Sequence, residues 1–206
     1  MLWLVAFILN SASAQTLSMT VGRVGDHILT SREVEMSAVM EKLLYQDVKP
    51  SAVTIAPLDS KAFFADVNDA ILERSLANEA KSFDVVHLDE KDRRDMEARL
   101  TKAVANVALW KAMDPAPNEW KAILERKLKA KLFIKFRKES SELPVTDTEA
   151  KRYFEDNHVK YGNLPFENFR DNIKSFLARS QVDRRLKDWY EVIKSKYNAK
   201  NFLAEL

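Results

Sequence analysis

The sequence has no cysteine, and glycine and proline are scarce, with three and six among 206 residues. Without cysteine the chain has no disulfide, no thiol nucleophile, no CxxC redox centre and no thiolate metal site. So few glycines and prolines argue against a β-sandwich or a loop-rich fold, whose many turns need both residues. Ala, Leu, Lys and Glu are abundant instead, and this composition favours long helices.

A strong charge of one sign is also lacking, since the formal net charge is only +2. This balance gives no indication of a nucleic-acid partner or of a strongly acidic ligand. Hydrophobic residues make up 46% of the chain and charged residues 31%, which is enough for a sizeable core beneath a soluble surface.

The first fourteen residues differ from the rest of the chain. Leu2 to Leu9 is an unbroken apolar run, and the small residues up to Ala14 follow it. This pattern predicts a secretory signal peptide over residues 1–14, cleaved after Ala14, although no Lys or Arg precedes the run. The run is too short for a bilayer span, which needs roughly 20 apolar residues. The alternative is a buried N-terminal strand or helix; with export, we expect residues 15–206 in the periplasm without stable membrane insertion.

The next segment indicates a β-hairpin followed by a capped helix. Apolar residues flank Gly25-Asp26, which predicts two short strands joined by a tight turn with a positive φ at the glycine. Thr30-Ser31-Arg32-Glu33 matches a capping box, and the helix that it opens runs to about Tyr45. A loop with two prolines follows over residues 46–57.

Apolar residues at helical spacing predict the remaining elements. A second capping box, Thr146-Asp147-Thr148-Glu149, opens the shortest of these helices. The last one would be about 45 Å long at 1.5 Å per residue, so it must span two lobes. The predicted helices cover residues 58–83, 90–109, 117–138, 146–157 and 166–196.

Together these elements predict a mainly α fold. We expect an irregular helical bundle with a small N-terminal β-hairpin and a long C-terminal helix that packs back on the N-terminal region. The mature chain would be one domain, with an N-terminal part over residues 15–142 and returning helices over residues 143–206.

Three segments resemble SurA-type periplasmic chaperones. Val21–Val34 resembles the family's opening hairpin and capped first helix. Leu143–Phe154 is similar to the place where the client-binding domain leads into an isomerase domain, and Leu164–Phe169 is similar to the start of the returning helix. Here only seven residues, His158–Leu164, separate the predicted short helix from the returning helix, and a domain needs ~50 residues or more. The resemblance therefore implies the chaperone domain without its parvulin insert.

This resemblance implies an ATP-independent holdase for unfolded outer-membrane or secreted proteins, with no enzymatic activity. Two alternatives stay open. One is a peptidyl-prolyl isomerase, by family association alone, and the other is a non-catalytic envelope adaptor or accessory subunit. The sequence leaves a homodimer open as well.

Other chemistry has little support in the sequence. His27, His87 and His158 are far apart, and none has a second histidine at i+3 or i+4, so we expect no metal site and no cofactor. Residues 121–138 hold eight Lys or Arg against the single acid Glu125. We interpret this stretch as a solvated helix face, with steering of acidic client segments as the alternative.

Flexible methionines and flat aromatic rings suit promiscuous apolar binding. We expect some of them to line a client-binding groove between the helices at 58–83 and 117–138. Trp110 and Met113, just before the proline-rich break, are predicted to be exposed. The candidate client-binding residues are Phe63, Phe64, Trp110, Met113 and Trp120.

Overall fold

The computed structural model describes residues 18–84, 87–141 and 144–205, which form seven α-helices and a small antiparallel sheet. The mainly α class is confirmed. The predicted signal peptide at 1–14 and the predicted division at 142/143 lie outside the described residues. The helices are α1 Ser31–Tyr45, α2 Lys61–Phe83, α3 Glu90–Val104, α4 Ala108–Met113, α5 Pro117–Ser141, α6 Asp147–Asp156 and α7 Arg170–Lys196, and the strands are β1 Thr20–Val24, β2 His27–Thr30 and β3 Lys200–Asn201.

The sheet joins the two ends of the described chain. Its strand order is β2-β1-β3, and both pairings are antiparallel. The predicted hairpin is confirmed, with Gly25 at a φ of +58° in the turn between β1 and β2. Strand β3 is a finding of the structure, because its two residues carry no sequence pattern of their own.

Gly22 makes the pairing with β3 sterically feasible. A Cβ at this position would lie 2.8 Å from the carbonyl oxygen of Lys200 and 3.3 Å from Cδ1 of Ile71. The neighbouring turn adds a second link, since the backbone N–H of Gly25 donates to the carbonyl of Tyr197 at 2.7 Å. The C-terminal segment is therefore fastened to the hairpin by backbone contacts.

The two predicted capping boxes have different outcomes. At α6 both bonds form: Thr146 accepts from the backbone N–H of Glu149, and the Glu149 carboxylate accepts from the N–H of Thr146. At α1 the Thr30 hydroxyl accepts from the Glu33 N–H at 3.3 Å, but the Glu33 carboxylate bonds elsewhere. The α1 capping box is therefore only half formed, because stronger charged partners hold Glu33.

Two predicted helices begin or end elsewhere. The helix expected over 90–109 is divided into α3 and α4, because the chain turns after Val104 and inserts Val107 into the core. The last helix begins at Arg170 rather than at Phe166, and a 3₁₀ turn over Phe166–Asn168 precedes it. Helix α7 has 27 residues, so it is about 40 Å long.

Helix α2 lies at the centre of the molecule. One half of α2 packs against the sheet and the start of α1, and its other half packs with α5 and α7. A third apolar cluster lies between α1, α3, α4 and α5. The C-terminal half of α7 contacts α2 and α5, while α6 packs mainly against α7. The long last helix thus returns to the N-terminal region, as predicted.

The variant Gly22→Ala should be destabilised by about 1–3 kcal/mol, because its methyl group must push β3 or Ile71 away. Urea unfolding would measure the loss. In a chain that ends after Tyr197, the same substitution should cost less, since the Lys200 carbonyl is gone. An equal loss in both chains would contradict the role of β3.

Candidate functional site

The structure distributes the five predicted binding residues between core and surface. Phe63 is fully buried beside the sheet, and Trp110 is only 8% exposed. The prediction that Trp110 is exposed is wrong, because α4 turns its ring into the cluster between α1 and α5. Phe64, Met113 and Trp120 are partly buried. Client binding by these three residues stays a prediction, whereas Phe63 and Trp110 offer almost no surface.

The contact between α2 and α5, where an apolar groove was predicted, has an apolar part and a buried charged part. Glu73 of α2 and the adjacent Arg126 and Lys127 of α5 are all buried. The prediction of a solvated α5 face is therefore wrong for two of its eight basic residues. These two face α1 and α2, whose carboxylates compensate their charges.

Glu73 is the centre of this ion network. Its Oε1 accepts from Arg126 Nε at 2.7 Å, and its Oε2 accepts from Lys127 Nζ at 2.6 Å and from the Ser37 hydroxyl at 2.9 Å. One carboxylate thereby joins side chains from α1, α2 and α5. Every oxygen of this buried anion has a hydrogen-bond donor, which is what a buried charge requires.

The network extends on both sides of Glu73. Glu33 Oε1 accepts from Arg126 and, at 2.6 Å, from Arg74, while Glu33 Oε2 lies 2.9 Å from His27 Nε2. On the other side Glu41 accepts from Lys127 at 3.0 Å. The half-formed capping box at α1 is explained by these contacts, since Glu33 is shared among charged partners.

The positive charges lower the pKa values of the buried acids. Burial alone would raise the pKa of Glu73, but Lys127 and Arg126 outweigh it, so the pKa is below the usual glutamate value. Burial opposes ionisation of Glu33 too, and Arg126 and Arg74 again lower the pKa. Both groups are therefore carboxylates in the folded protein at neutral pH.

Spacing along the helices carries a signal that could have revealed this network. Glu73 stands three residues after Ala70 and three before Leu76, on the apolar face of α2. Arg126 and Lys127 lie between buried Leu124 and Leu128 on α5. Charges inside an apolar stripe indicate buried partners, but sequence alone does not say which partners they are.

A second feature, which sequence analysis missed as a site, is a group of aromatic rings at the far end of α7. We call it the aromatic lobe; it comprises α6, the following turns and the first two turns of α7. The ring centroids of Phe154 and Tyr161 are 4.9 Å apart, and those of Tyr161 and Phe169 are 4.8 Å apart. The six rings are Tyr153, Phe154, Tyr161, Phe166, Phe169 and Phe176.

None of these six rings is buried in the described part of the chain. Phe176 is 52% exposed, and the neighbouring Leu164 and Val159 are 54% and 84% exposed. The rings pack on each other, and the lobe exposes three large apolar side chains, those of Phe176, Leu164 and Val159. Surfaces of this kind mark interaction sites.

A smaller aromatic group lies at the other end of α7. Phe133 is buried between Trp189 and the more exposed rings of Phe83 and Phe136. The Arg137 guanidinium lies 4.7 Å from the Trp189 ring and covers it. This group is anchored in the core of α2, α5 and α7, unlike the lobe.

The described residues contain no group of metal ligands and no candidate membrane-spanning helix. Across 18–84, 87–141 and 144–205, no three His, Asp or Glu side chains are grouped to hold a metal ion. Of the helices in these ranges, none combines the length and the hydropathy that a bilayer span requires.

Substituting Glu73→Gln should destabilise the protein by about 3–5 kcal/mol, because the buried cations Arg126 and Lys127 each lose one of their two carboxylate partners. Chemical denaturation would measure this change. Glu139→Gln is the matched control: that carboxylate is 66% exposed and 4.0 Å from Lys135, so its loss should cost under about 0.5 kcal/mol. Similar losses for both variants would contradict a structural role for the network.

Stability should also fall in acid. The folded-state pKa values of Glu33, Glu41 and Glu73 are below the usual value of 4.5, so these groups contribute fully above that pH. The contribution is lost as the pH falls through the lowered values. The unfolding free energy should therefore decrease below about pH 4.5, and less steeply in Glu73→Gln. An identical slope in both proteins would exclude Glu73 as a cause.

Comparisons with known proteins identified no relative of this chain. No protein-family model, no curated protein and no solved structure matches the chain.

Proposed function

We propose that this protein is an ATP-independent chaperone that holds unfolded polypeptides at its aromatic lobe. The observation that carries the proposal is the cluster of six aromatic rings in the lobe, five of them partly buried and Phe176 exposed, in a segment that also exposes Leu164 and Val159. A folded domain gains little from leaving such a surface in water, so an apolar partner is the simplest explanation.

The chemistry of the lobe suits clients without a fixed sequence. Aromatic side chains bury a large area while few torsions are fixed, so each contact costs little side-chain entropy. Ordering a flexible client is unfavourable, which keeps each contact weak and reversible. Such shallow contacts let a holdase capture and release a client without nucleotide hydrolysis.

The resemblance to SurA-type chaperones supports the same function. The lobe is built from the two segments that resemble the handover to the isomerase domain and the return from it. Between them the chain makes only a short 3₁₀ helix, His158–Lys160, and a turn. We infer that the lobe serves as client surface where relatives carry a further domain. Export to the periplasm, envelope proteins as clients and a homodimer belong to the proposal as well.

The double variant Leu164→Ser with Phe176→Ser should lose most of the holdase activity, because it removes two of the most exposed apolar side chains of the lobe. The assay measures suppression of aggregation when a denatured outer-membrane protein is diluted into the purified protein. We expect a several-fold higher concentration of the variant to be needed for equal suppression.

The matched control is Phe83→Ser with Val192→Ser, which replaces one ring and one aliphatic side chain that are 58% and 63% exposed outside the lobe. It should suppress aggregation as well as the unmodified protein. Equal loss in both double variants, or no suppression by the unmodified protein, would refute the lobe as a client surface. An adaptor would instead retain one stoichiometric partner from an envelope extract.

A further inference from the structure

A cleft of about 490 Å³ opens beside the ion network, between the start of α1, α2 and α5. Its volume is within the range of roughly 300–1,000 Å³ that is typical of ligand sites. Arg74 and Arg126 line it together with Lys81 and Lys129, whereas Met36 and Ile123 border it but are almost fully buried. One side of the cleft is therefore cationic.

The two arginines have more donors than acceptors. Both guanidinium groups bond the same atom, Oε1 of Glu33, and Arg126 also donates to Glu73. Two further donors, Arg126 Nη2 and Arg74 Nε, are buried without a protein partner among the described residues. A buried unpaired donor is unfavourable, so an acceptor that reaches these groups binds with a corresponding gain.

The charge balance of the network also favours binding of an anion. Its described members are three carboxylates, on Glu33, Glu41 and Glu73, against four cations, on Arg74, Arg126, Lys127 and Lys131. Burial and repulsion by Arg126 lower the pKa of Arg74, so these two guanidinium groups repel each other. One additional negative charge near the arginines would neutralise the excess and reduce the repulsion.

We propose that this cleft binds the carboxylate group of a ligand. Guanidinium groups match a planar carboxylate with paired N–H donors. A singly charged group fits better than a phosphate dianion, because Glu33, Glu119 and Glu125 also line the cleft. The carboxylate belongs either to a peptide C-terminus or to a free organic acid. The site is formed by α1, α2 and α5, so it does not depend on the aromatic lobe.

Calorimetric titration of the purified protein tests this site with four probes. They are N-acetyl-leucine, a tetra-alanyl-leucine peptide with a free C-terminus, the same peptide with an amidated C-terminus, and inorganic phosphate. We expect the free-carboxylate peptide to bind at least about tenfold more tightly than its amide, because a charge-assisted hydrogen bond is lost in the amide. Binding of N-acetyl-leucine at similar strength assigns the site to free organic acids, and binding of the peptide alone assigns it to peptide C-termini; both support the proposal.

Two variants show whether the cleft is the place of binding. Arg74→Gln should weaken binding about tenfold or more, and Lys81→Gln, at an exposed position on the same wall, about two- to threefold. Lys135→Gln removes the same charge from a lysine that is 73% exposed and does not line the cleft, and it should leave binding unchanged. If Arg74→Gln does not fold, Lys81→Gln carries the test. Equal binding of the amide, binding of phosphate alone, no binding of any probe, or unchanged binding in Lys81→Gln would overturn the proposal.

Discussion

The buried carboxylate of Glu73 sets the arrangement of the helices. Apolar packing between α1, α2 and α5 is non-directional, so many relative positions would bury similar area. The hydrogen bonds of the carboxylate form only when the three helices are aligned so that Ser37, Arg126 and Lys127 reach its two oxygens. Sliding one helix past another would separate several of these buried ion pairs at once, which is strongly unfavourable. We interpret the network as the device that selects one packing of the bundle.

Everything else is placed relative to the helix that carries Glu73. One half of α2 packs under the sheet, and β3 can approach β1 only because Gly22 leaves room for the Lys200 carbonyl. The C-terminal half of α7 lies on α2 and α5, where Ile193 is buried and Lys196 and Tyr197 bond Glu79. The first half of α7 extends beyond these contacts and holds α6. A rigid anchor thus presents the aromatic lobe at a distance from the core.

Signals from residues that are close in sequence predicted most of the helices and the hairpin. Contacts between residues that are distant in sequence decided the features that the sequence alone does not reveal. The turn at Gly25 and the capping box at Thr146 depend on neighbours in sequence, and both were predicted correctly. The same capping pattern gave a wrong prediction at Glu33. Its carboxylate binds Arg74 and Arg126, which are distant in sequence, instead of the backbone N–H of the N-cap. Strand β3 exists only as a partner of β1. The predicted exposure of Trp110 was likewise wrong, since ring type does not reveal whether a helix such as α4 turns its tryptophan inward.

The ion network also explains why the apolar surface is where it is. A groove between α2 and α5 would be a natural place for a client, but Glu73 and Arg126 are buried in that contact. An apolar segment that entered there would separate these charges from their partners, which is unfavourable. We therefore place the proposed apolar client contacts at the lobe, where Phe176 is exposed, rather than at the ion network. In the proposed carboxylate site, the unpaired donors of Arg74 and Arg126 favour an anion. Two surfaces of different chemistry thus follow from one buried carboxylate and the cations that hold it.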